Sequence, residues 1–460
     1  MLLFYSTNSN YHSEFNHIKV NLKEALLNGQ APDRGLYMPE SFPTISTEEL
    51  YSYSQKTYPE IAYQILNRYT EGIIPKETLY SLCIDAYNFE IPLEKVRGTT
   101  SNYILRLDRG PTASFKDFAA RMMARMMSLF ICESNEEITI LTATSGDTGA
   151  AVANAFHNVP GIKVIILFPL KEVSERQRKQ MSTLSGNITT IAIKGKFDDC
   201  QALVKKAFAD TQLKKHIKLS SANSINIGRL LPQSVYYFYA ASRITECKAP
   251  VVFSVPSGNF GDMMGGMIAM KMGLPIAQIL APVNGNDSFP NYLKCGEYQK
   301  IEPSRNCISN AMNVGHPSNL ARLISLFGGQ MNEKGEISHP ADLTKLKEKV
   351  YSVSVSDDET QKTIISVWEK YQLLLEPHGA VGWNGYQRWL EIHPERKDIP
   401  AICLETAHPA KFPQHIRELL GIIPEAPLSL SSLDSLSEHY KTMDSDFDLF
   451  KQYLLDTVLK

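Results

Sequence analysis

From position 138 onward, short apolar runs alternate with longer mixed stretches. Ile138 to Ala143 is rich in β-formers and runs into Thr144-Ser145-Gly146-Asp147-Thr148-Gly149, after which the alanine-rich stretch Ala150 to Phe156 predicts a helix. Lys163 to Phe168 predicts a second strand, with a helix beginning near Ser174. Ile188 to Ile193 predicts a third, with a helix from about Asp198 to Lys215. The pattern restarts after Pro250: Val251 to Val255 is a buried-type strand, Pro256 to Gly261 a loop, Asp262 to Met272 a helix, and Ile276 to Ala281 another strand. Ile399 to Leu404 is again strand-like and leads into Glu405-Thr406-Ala407-His408-Pro409. Strands alternating with helices of this length predict βαβ units and parallel sheets.

The first ~95 residues differ, mixing short helical patterns with turns. Leu22 to Leu27 reads as a helix stopped by Asn28-Gly29, Pro32-Asp33-Arg34-Gly35 as a tight turn, and Thr47 to Tyr69 carries a helix-like distribution of aromatics and leucines. Two α/β sheets plus an N-terminal cap fit the length of 460 residues. No internal repeat or coiled-coil heptad is present. The basic run from Lys205 to Lys218 is interrupted by apolar and acidic residues and reads as the solvated face of a helix.

Composition narrows the class. With 43% hydrophobic and 21% charged residues, the chain cannot be disordered. A net charge of −2 gives no overall attraction to nucleic acid or anionic membrane. The longest apolar run, Val164 to Phe168, is strand-sized, far short of the roughly 18 residues of a membrane helix. The N-terminal Met1-Leu2-Leu3-Phe4-Tyr5 lacks the basic region of a signal peptide. The seven cysteines are scattered without a C-x-x-C pair, as expected of reduced thiols rather than a zinc site or a disulfide frame. A soluble cytoplasmic protein without a metal, a nucleic-acid partner or a membrane is the expectation.

Parallel sheets place ligand sites at the carboxyl ends of their strands, and three strand-end segments carry suitable chemistry. Ser257-Gly258-Asn259-Phe260-Gly261 joins a strand to a helix; its glycines fit either an anion cradle or a structural turn. It is not a Walker loop. Thr144 to Gly149 offers the hydroxyls of Thr144, Ser145 and Thr148 to a carboxylate or phosphate, or uses Thr148 or Asp147 only to cap the helix. Arg109-Gly110-Pro111-Thr112-Ala113-Ser114-Phe115-Lys116-Asp117-Phe118 sets a lysine among Phe115, Phe118 and the Met122, Met123 and Met126 helix. An apolar setting lowers a lysine pKa and suits a Schiff-base nucleophile. The methionines read as core filling.

These segments occur together, in order, with Asn223-Ser224-Ile225-Asn226 and Arg229, and with Leu404-Glu405-Thr406-Ala407-His408-Pro409-Ala410-Lys411-Phe412. The combination resembles the threonine synthases, pyridoxal-phosphate enzymes of the tryptophan-synthase-β-like fold (fold type II). Tyr5-Ser6-Thr7, Glu24-Ala25-Leu26-Leu27-Asn28-Gly29 and Gly35-Leu36-Tyr37-Met38-Pro39-Glu40 resemble the N-terminus of the long form. The resemblance covers essentially the whole chain. It implies an α/β fold of two parallel-type domains plus an N-terminal cap: 1–95 as the N-terminal domain, 96–135 with 216–460 as the large cofactor-binding domain, and 136–215 as the small domain carrying the substrate loop.

It further implies conversion of O-phospho-L-homoserine and water to L-threonine and phosphate, by γ-elimination and β-addition of water. Lys116 is then the lysine that holds pyridoxal 5'-phosphate. Gly258, Asn259, Phe260 and Gly261 match the cofactor-phosphate loop, and Thr406 the hydroxyl facing the pyridine nitrogen. Thr144, Ser145 and Thr148 match the loop for the substrate carboxylate and phosphate. Asp147 stands where short-form members have asparagine near the cofactor's O3′, so it touches the cofactor or orders the loop. Ser224 and Arg229 match the grip on the substrate phosphate; an arginine paired with a nearby carboxylate is the alternative. The enzyme is expected as a monomer or homodimer. Phospholyases of similar sequence, which release phosphate and a keto acid, share the lysine and loops and are the runner-up. A cofactor-binding regulator without turnover would not need Lys116, Thr406 and Arg229 intact.

Overall fold

Two sheets organise the chain, as seen in a computed structural model that describes residues 1–9, 19–134 and 137–458. The smaller sheet is five-stranded and wholly parallel, in the order Lys441–Asp444, Ile188–Lys194, Ile162–Pro169, Ile138–Ala143, Leu219–Ser221. The larger is six-stranded, in the order Val350–Tyr351, Ile276–Leu280, Val251–Ser254, Ala401–Glu405, Asn102–Arg106, Leu93–Lys95. All its pairings are parallel except the last, Leu93–Lys95 against Asn102–Arg106. Strands covered on both faces by helices show no polar alternation. Accordingly every residue of Ile138–Ala143, Val251–Ser254 and Ala401–Glu405 is buried.

Sheet membership departs from the expected division in three places. Lys441–Asp444 and the helix Phe447–Val458 join the smaller sheet, although 216–460 was assigned to the large domain. The strand is a polar edge, exposed along most of its length, so it carries no hydrophobic signature, and the helix seals the sheet through Phe450 and Leu454. Leu219–Ser221 pairs with Ile138–Ala143 and also belongs there, beyond 215. Leu93–Lys95 joins the larger sheet rather than the N-terminal cap. The boundary expected between 135 and 136 lies outside the described residues.

Two long helical expectations are each broken by local chemistry. The stretch Thr47 to Tyr69 forms Thr47–Ser52 and Tyr58–Thr70, the second opened by a Thr57/Glu60 capping box with a proline in its first turn. The stretch after Ile193 forms Phe197–Ala209 and Thr211–His216, because Asp210 Oδ1 accepts from the Gln212 and Leu213 amides and starts a new helix. The lysines of this run are exposed, as the solvated-face reading requires.

The N-terminal cap supports the helix that begins at Lys116. Its first helix, Leu22–Asn28, is opened by an Asn21/Glu24 capping box and ended by Gly29 at a φ of 73°. Tyr58 packs edge-on against Phe118 at 5.5 Å, and Arg121 donates to the Ala86 carbonyl at 2.7 Å. Asn226 donates to the Leu26 carbonyl at 2.9 Å, tying the cap to the Asn223–Arg229 segment. Met122, Met123 and Met126 are buried in the core. Among the described residues no helix is long and apolar enough to cross a membrane.

Candidate active site

Strand ends create the site. The carboxyl ends of Ile138–Ala143 and Leu219–Ser221 in one sheet, and of Val251–Ser254, Asn102–Arg106 and Ala401–Glu405 in the other, all lead into loops that line or support one cavity. It encloses about 960 Å³ of empty space, its open mouth included. Three helices also start there: Lys116–Ser134, Asp147–Phe156 and Gly261–Lys271. Their positive dipole ends make the cavity favourable for anions.

The lysine is presented by a tightly closed turn. Asp117 accepts from the Thr112 amide (2.8 Å) and the Thr112 hydroxyl (2.6 Å), and Ala113 adopts a φ of 52°. Gly110 is required here, since a Cβ would lie 2.4 Å from Asp117 Oδ2. The Phe115 amide donates to the Thr406 carbonyl at 2.9 Å, and Ser114 bridges Ala407, so the lysine turn and the Thr406 segment are stitched together. Lys116 then opens its helix, with Nζ 4.5 Å from the centre of the Phe115 ring. Burial holds its amine below the ordinary lysine value. Lys411 and Arg229 push the same way, while Asp147 and Asp262 oppose.

In the Thr144–Gly149 loop the capping role falls on neither Thr148 nor Asp147. Thr144 Oγ1 accepts from the Gly146 and Gly149 amides at 2.9 and 2.8 Å, holding the turn in which Gly146 reaches a φ of 133°. Ser145 and Thr148 line the cavity. Asp147 Oδ1 accepts from Lys411 Nζ and from Gln177 Nε2, and Oδ2 stands 4.0 Å from Lys116 Nζ. Burial opposes its ionisation, but the two lysines and Gln177 outweigh that and keep the carboxyl below the usual range.

The Ser257–Gly261 loop is locked by its own side chains. Asn259 donates to Ser224 Oγ (2.5 Å), accepts from the Ser318 amide (2.6 Å), and its carbonyl accepts from Asn319 (2.9 Å). Phe260 turns the chain at a φ of 61° and buries its ring edge-on against Phe289, so only its backbone serves the loop. Gly258 has the stricter steric need: a Cβ would lie 2.8 Å from the Met312 Cα, against 3.3 Å from Ser224 Cβ for Gly261. Arg322, wholly buried, donates to the carbonyls of Tyr37, Ser224 and Ile225 and so fastens the Asn223–Arg229 segment to the cap.

Arg229 ends a short 3₁₀ turn, Ile227–Arg229, and is buried facing the cavity. One guanidinium nitrogen donates to the Ala222 carbonyl at 2.5 Å, while Nε has no partner. Among the described residues no carboxylate lies within 4.0 Å of it, so the ion-paired alternative is not what the fold contains. Burial pulls it down to about 10, partly offset by Asp117. A buried cation with an unused donor beside a cavity calls for an anionic ligand.

All the residues singled out from the sequence line this one cavity: Lys116, Thr144, Ser145, Asp147, Thr148, Ser224, Arg229, Gly258, Asn259, Phe260, Gly261 and Thr406. Three further residues had no individual signal. Lys411 was visible only as one letter of a motif. Asp262 accepts from Tyr236 (2.5 Å) and Tyr237 (2.8 Å), is pushed up by burial to about 6, and leaves Oδ2 unpartnered. His378 accepts the Ala311 amide at 3.1 Å and holds that wall of the cavity. The donors fit pyridoxal phosphate: a largely buried amine of lowered basicity, a glycine-flanked loop at a helix N-terminus, and a neutral hydroxyl, Thr406, lining the same cavity.

Comparison with known proteins gives consistent matches. Residues 89–399 match the family described as "Pyridoxal-phosphate dependent enzyme", residues 4–87 "Threonine synthase N terminus", and residues 379–454 "Threonine synthase, C-terminal". The chain is 40% identical to the threonine synthase of Haemophilus influenzae, covering 95% of this chain and 97% of that one. It is 36% identical to that of Escherichia coli, covering 97% and 99%. Its fold superposes on the pyridoxal-phosphate-bound threonine synthase of Brucella melitensis with a TM-score of 0.89, at 33% identity and 99% coverage of both chains. The yeast threonine synthase gives 0.87 at 30% identity, covering 99% and 98%.

Proposed function

The chain belongs to the threonine synthases, a family of pyridoxal-phosphate-dependent enzymes, and on that premise we propose how its own residues carry the conversion of O-phospho-L-homoserine and water to L-threonine and phosphate. The observation that carries the proposal is Lys116: a largely buried amine of lowered basicity where both sheets' strand ends converge. When bound, pyridoxal phosphate supplies the electron sink that stabilises negative charge next to the substrate's Cα.

Lys116 holds the cofactor through its amine and, once substrate has displaced it, moves protons at Cα and Cβ. The amides of Gly258 to Gly261, continued by the helix Gly261–Lys271, bind the cofactor's phosphate. Thr406, which lines the cavity, would offer the pyridine nitrogen a neutral hydroxyl, which does not enforce ring protonation as a carboxylate would. Ser145 and Thr148, on the turn that Thr144 holds, take the substrate carboxylate. Arg229 and Ser224 take the substrate phosphate. Ser224 Oγ accepts from Asn259, which leaves its own proton to donate to a phosphate oxygen. Asp147 acts on Lys116 by charge rather than on the cofactor by contact.

The dispersed cysteines support a cytoplasmic enzyme and the near-neutral charge one without a nucleic-acid partner; it acts on a small-molecule substrate as a monomer or homodimer. The purified protein, incubated with O-phospho-L-homoserine, is expected to release L-threonine and phosphate in equal amounts. Phosphate release matched instead by 2-oxobutyrate would make it a phospholyase.

A further inference from the structure

Two lysines share one carboxylate at the floor of the cavity. Lys411 Nζ lies 2.9 Å from Asp147 Oδ1, which also accepts from Gln177 at 3.0 Å, while Lys116 Nζ stands 4.0 Å from Oδ2. The Lys411 side chain is fully buried, and Asp147 is the only carboxylate within 4.0 Å of its amine among the described residues. The pair joins the two halves of the molecule. Lys411 sits in the 3₁₀ turn Pro409–Lys411 after a strand of the larger sheet, and Asp147 opens the helix after a strand of the smaller one.

A buried ammonium cannot be left without a counter-ion, and removing one partner of such a pair costs far more than the pair contributes. Asp147 is therefore committed to Lys411 at hydrogen-bond distance, and its attraction for Lys116 is what remains at 4.0 Å. Asp262 also faces Lys116, but it is engaged by Tyr236 and Tyr237; Arg229 faces it as a second cation. On its own helix Asp117 is held by Thr112. With Lys411 in place, Lys116 shares its nearest carboxylate, at 4.0 Å, with a second and closer cation.

We propose that Lys411 is a positioning residue for Lys116: by engaging Asp147 in a buried ion pair it offsets the pull of that carboxylate on the neighbouring amine and keeps that amine available to the cofactor's aldehyde carbon. The inference rests on the reading of Lys116 as the cofactor lysine. Its signature is electrostatic and has a sign. Asp147 stabilises a protonated nitrogen at Lys116, and Lys411 cancels that stabilisation.

The test is a pH titration of the lysine-bound chromophore by absorbance, in the holoenzyme and four variants. Lys411→Met should raise the titration midpoint by about one pH unit or more, because Asp147 then acts on the Lys116 nitrogen alone. Asp147→Asn should lower it. The double variant, which removes both charges, should return close to wild type, and Lys411→Arg should stay there. If Lys411→Met does not fold, the comparison of Asp147→Asn with the double variant decides, since removing Lys411 should still raise the midpoint. Midpoints unmoved by loss of Lys411, or moved in the same direction by both single changes, would overturn the proposal. Failure of the parent reading looks different: borohydride reduction of the wild-type holoenzyme would then leave no adduct on Lys116.

Discussion

Replacing Lys116 by alanine will lower kcat by on the order of 10⁴-fold, the upper range for loss of a positioned proton-transfer group, while the protein stays folded. The side chain projects into a cavity and not into packed core, so its removal widens an existing space and leaves the Asp117–Thr112 turn intact. Lys116→Arg should fail almost as badly. A guanidinium keeps its proton at every working pH and cannot bond an aldehyde carbon or shuttle protons. Threonine formation measured beside the far-ultraviolet circular dichroism of each variant separates lost chemistry from lost folding. A Lys116→Ala enzyme within tenfold of wild-type kcat would remove Lys116 from the mechanism.

Replacing Arg229 by alanine will lower kcat/KM by roughly tenfold to several hundredfold, since charge-assisted hydrogen bonds contribute about 1.5–3 kcal/mol each. The site is built for such a loss. The guanidinium is buried, faces the cavity and, among the described residues, meets no carboxylate and keeps Nε unused. Arg229→Lys retains charge but loses the planar fork that meets two phosphate oxygens, so it should recover only part of the activity. Cofactor absorbance should persist in both variants, because the Gly258–Gly261 cradle lies on a separate loop. Loss of absorbance together with activity would move Arg229 from substrate to cofactor, and near wild-type kcat/KM would remove it from both.

What was legible in the sequence follows from which elements are buried on both faces. Ile138–Ala143 and Ala401–Glu405 are interior parallel strands, so they read as continuous apolar runs, and the loops at their ends could be found as candidate chemistry. Lys441–Asp444 is an edge strand with three exposed residues, and nothing in Lys-Thr-Met-Asp announces a sheet. Asp210 broke a helix that periodicity had run through, because a short side chain accepting two amides outweighs a continuing apolar stripe. At the site, residues on glycine-rich loops were visible because backbone demands restrict their composition. The Lys411–Asp147 pair was not, since its partners lie 264 residues apart and nothing in the sequence couples them. The two tyrosines that engage Asp262 are not among the residues the sequence singles out.

The central claim is that Lys116, and no other lysine, holds the cofactor in this cavity. Borohydride reduction of the holoenzyme followed by peptide mapping tests it most directly. A stable pyridoxyl adduct is expected on the peptide that contains Ser114-Phe115-Lys116-Asp117. An adduct on Lys411, or on any lysine outside the cavity, would contradict it.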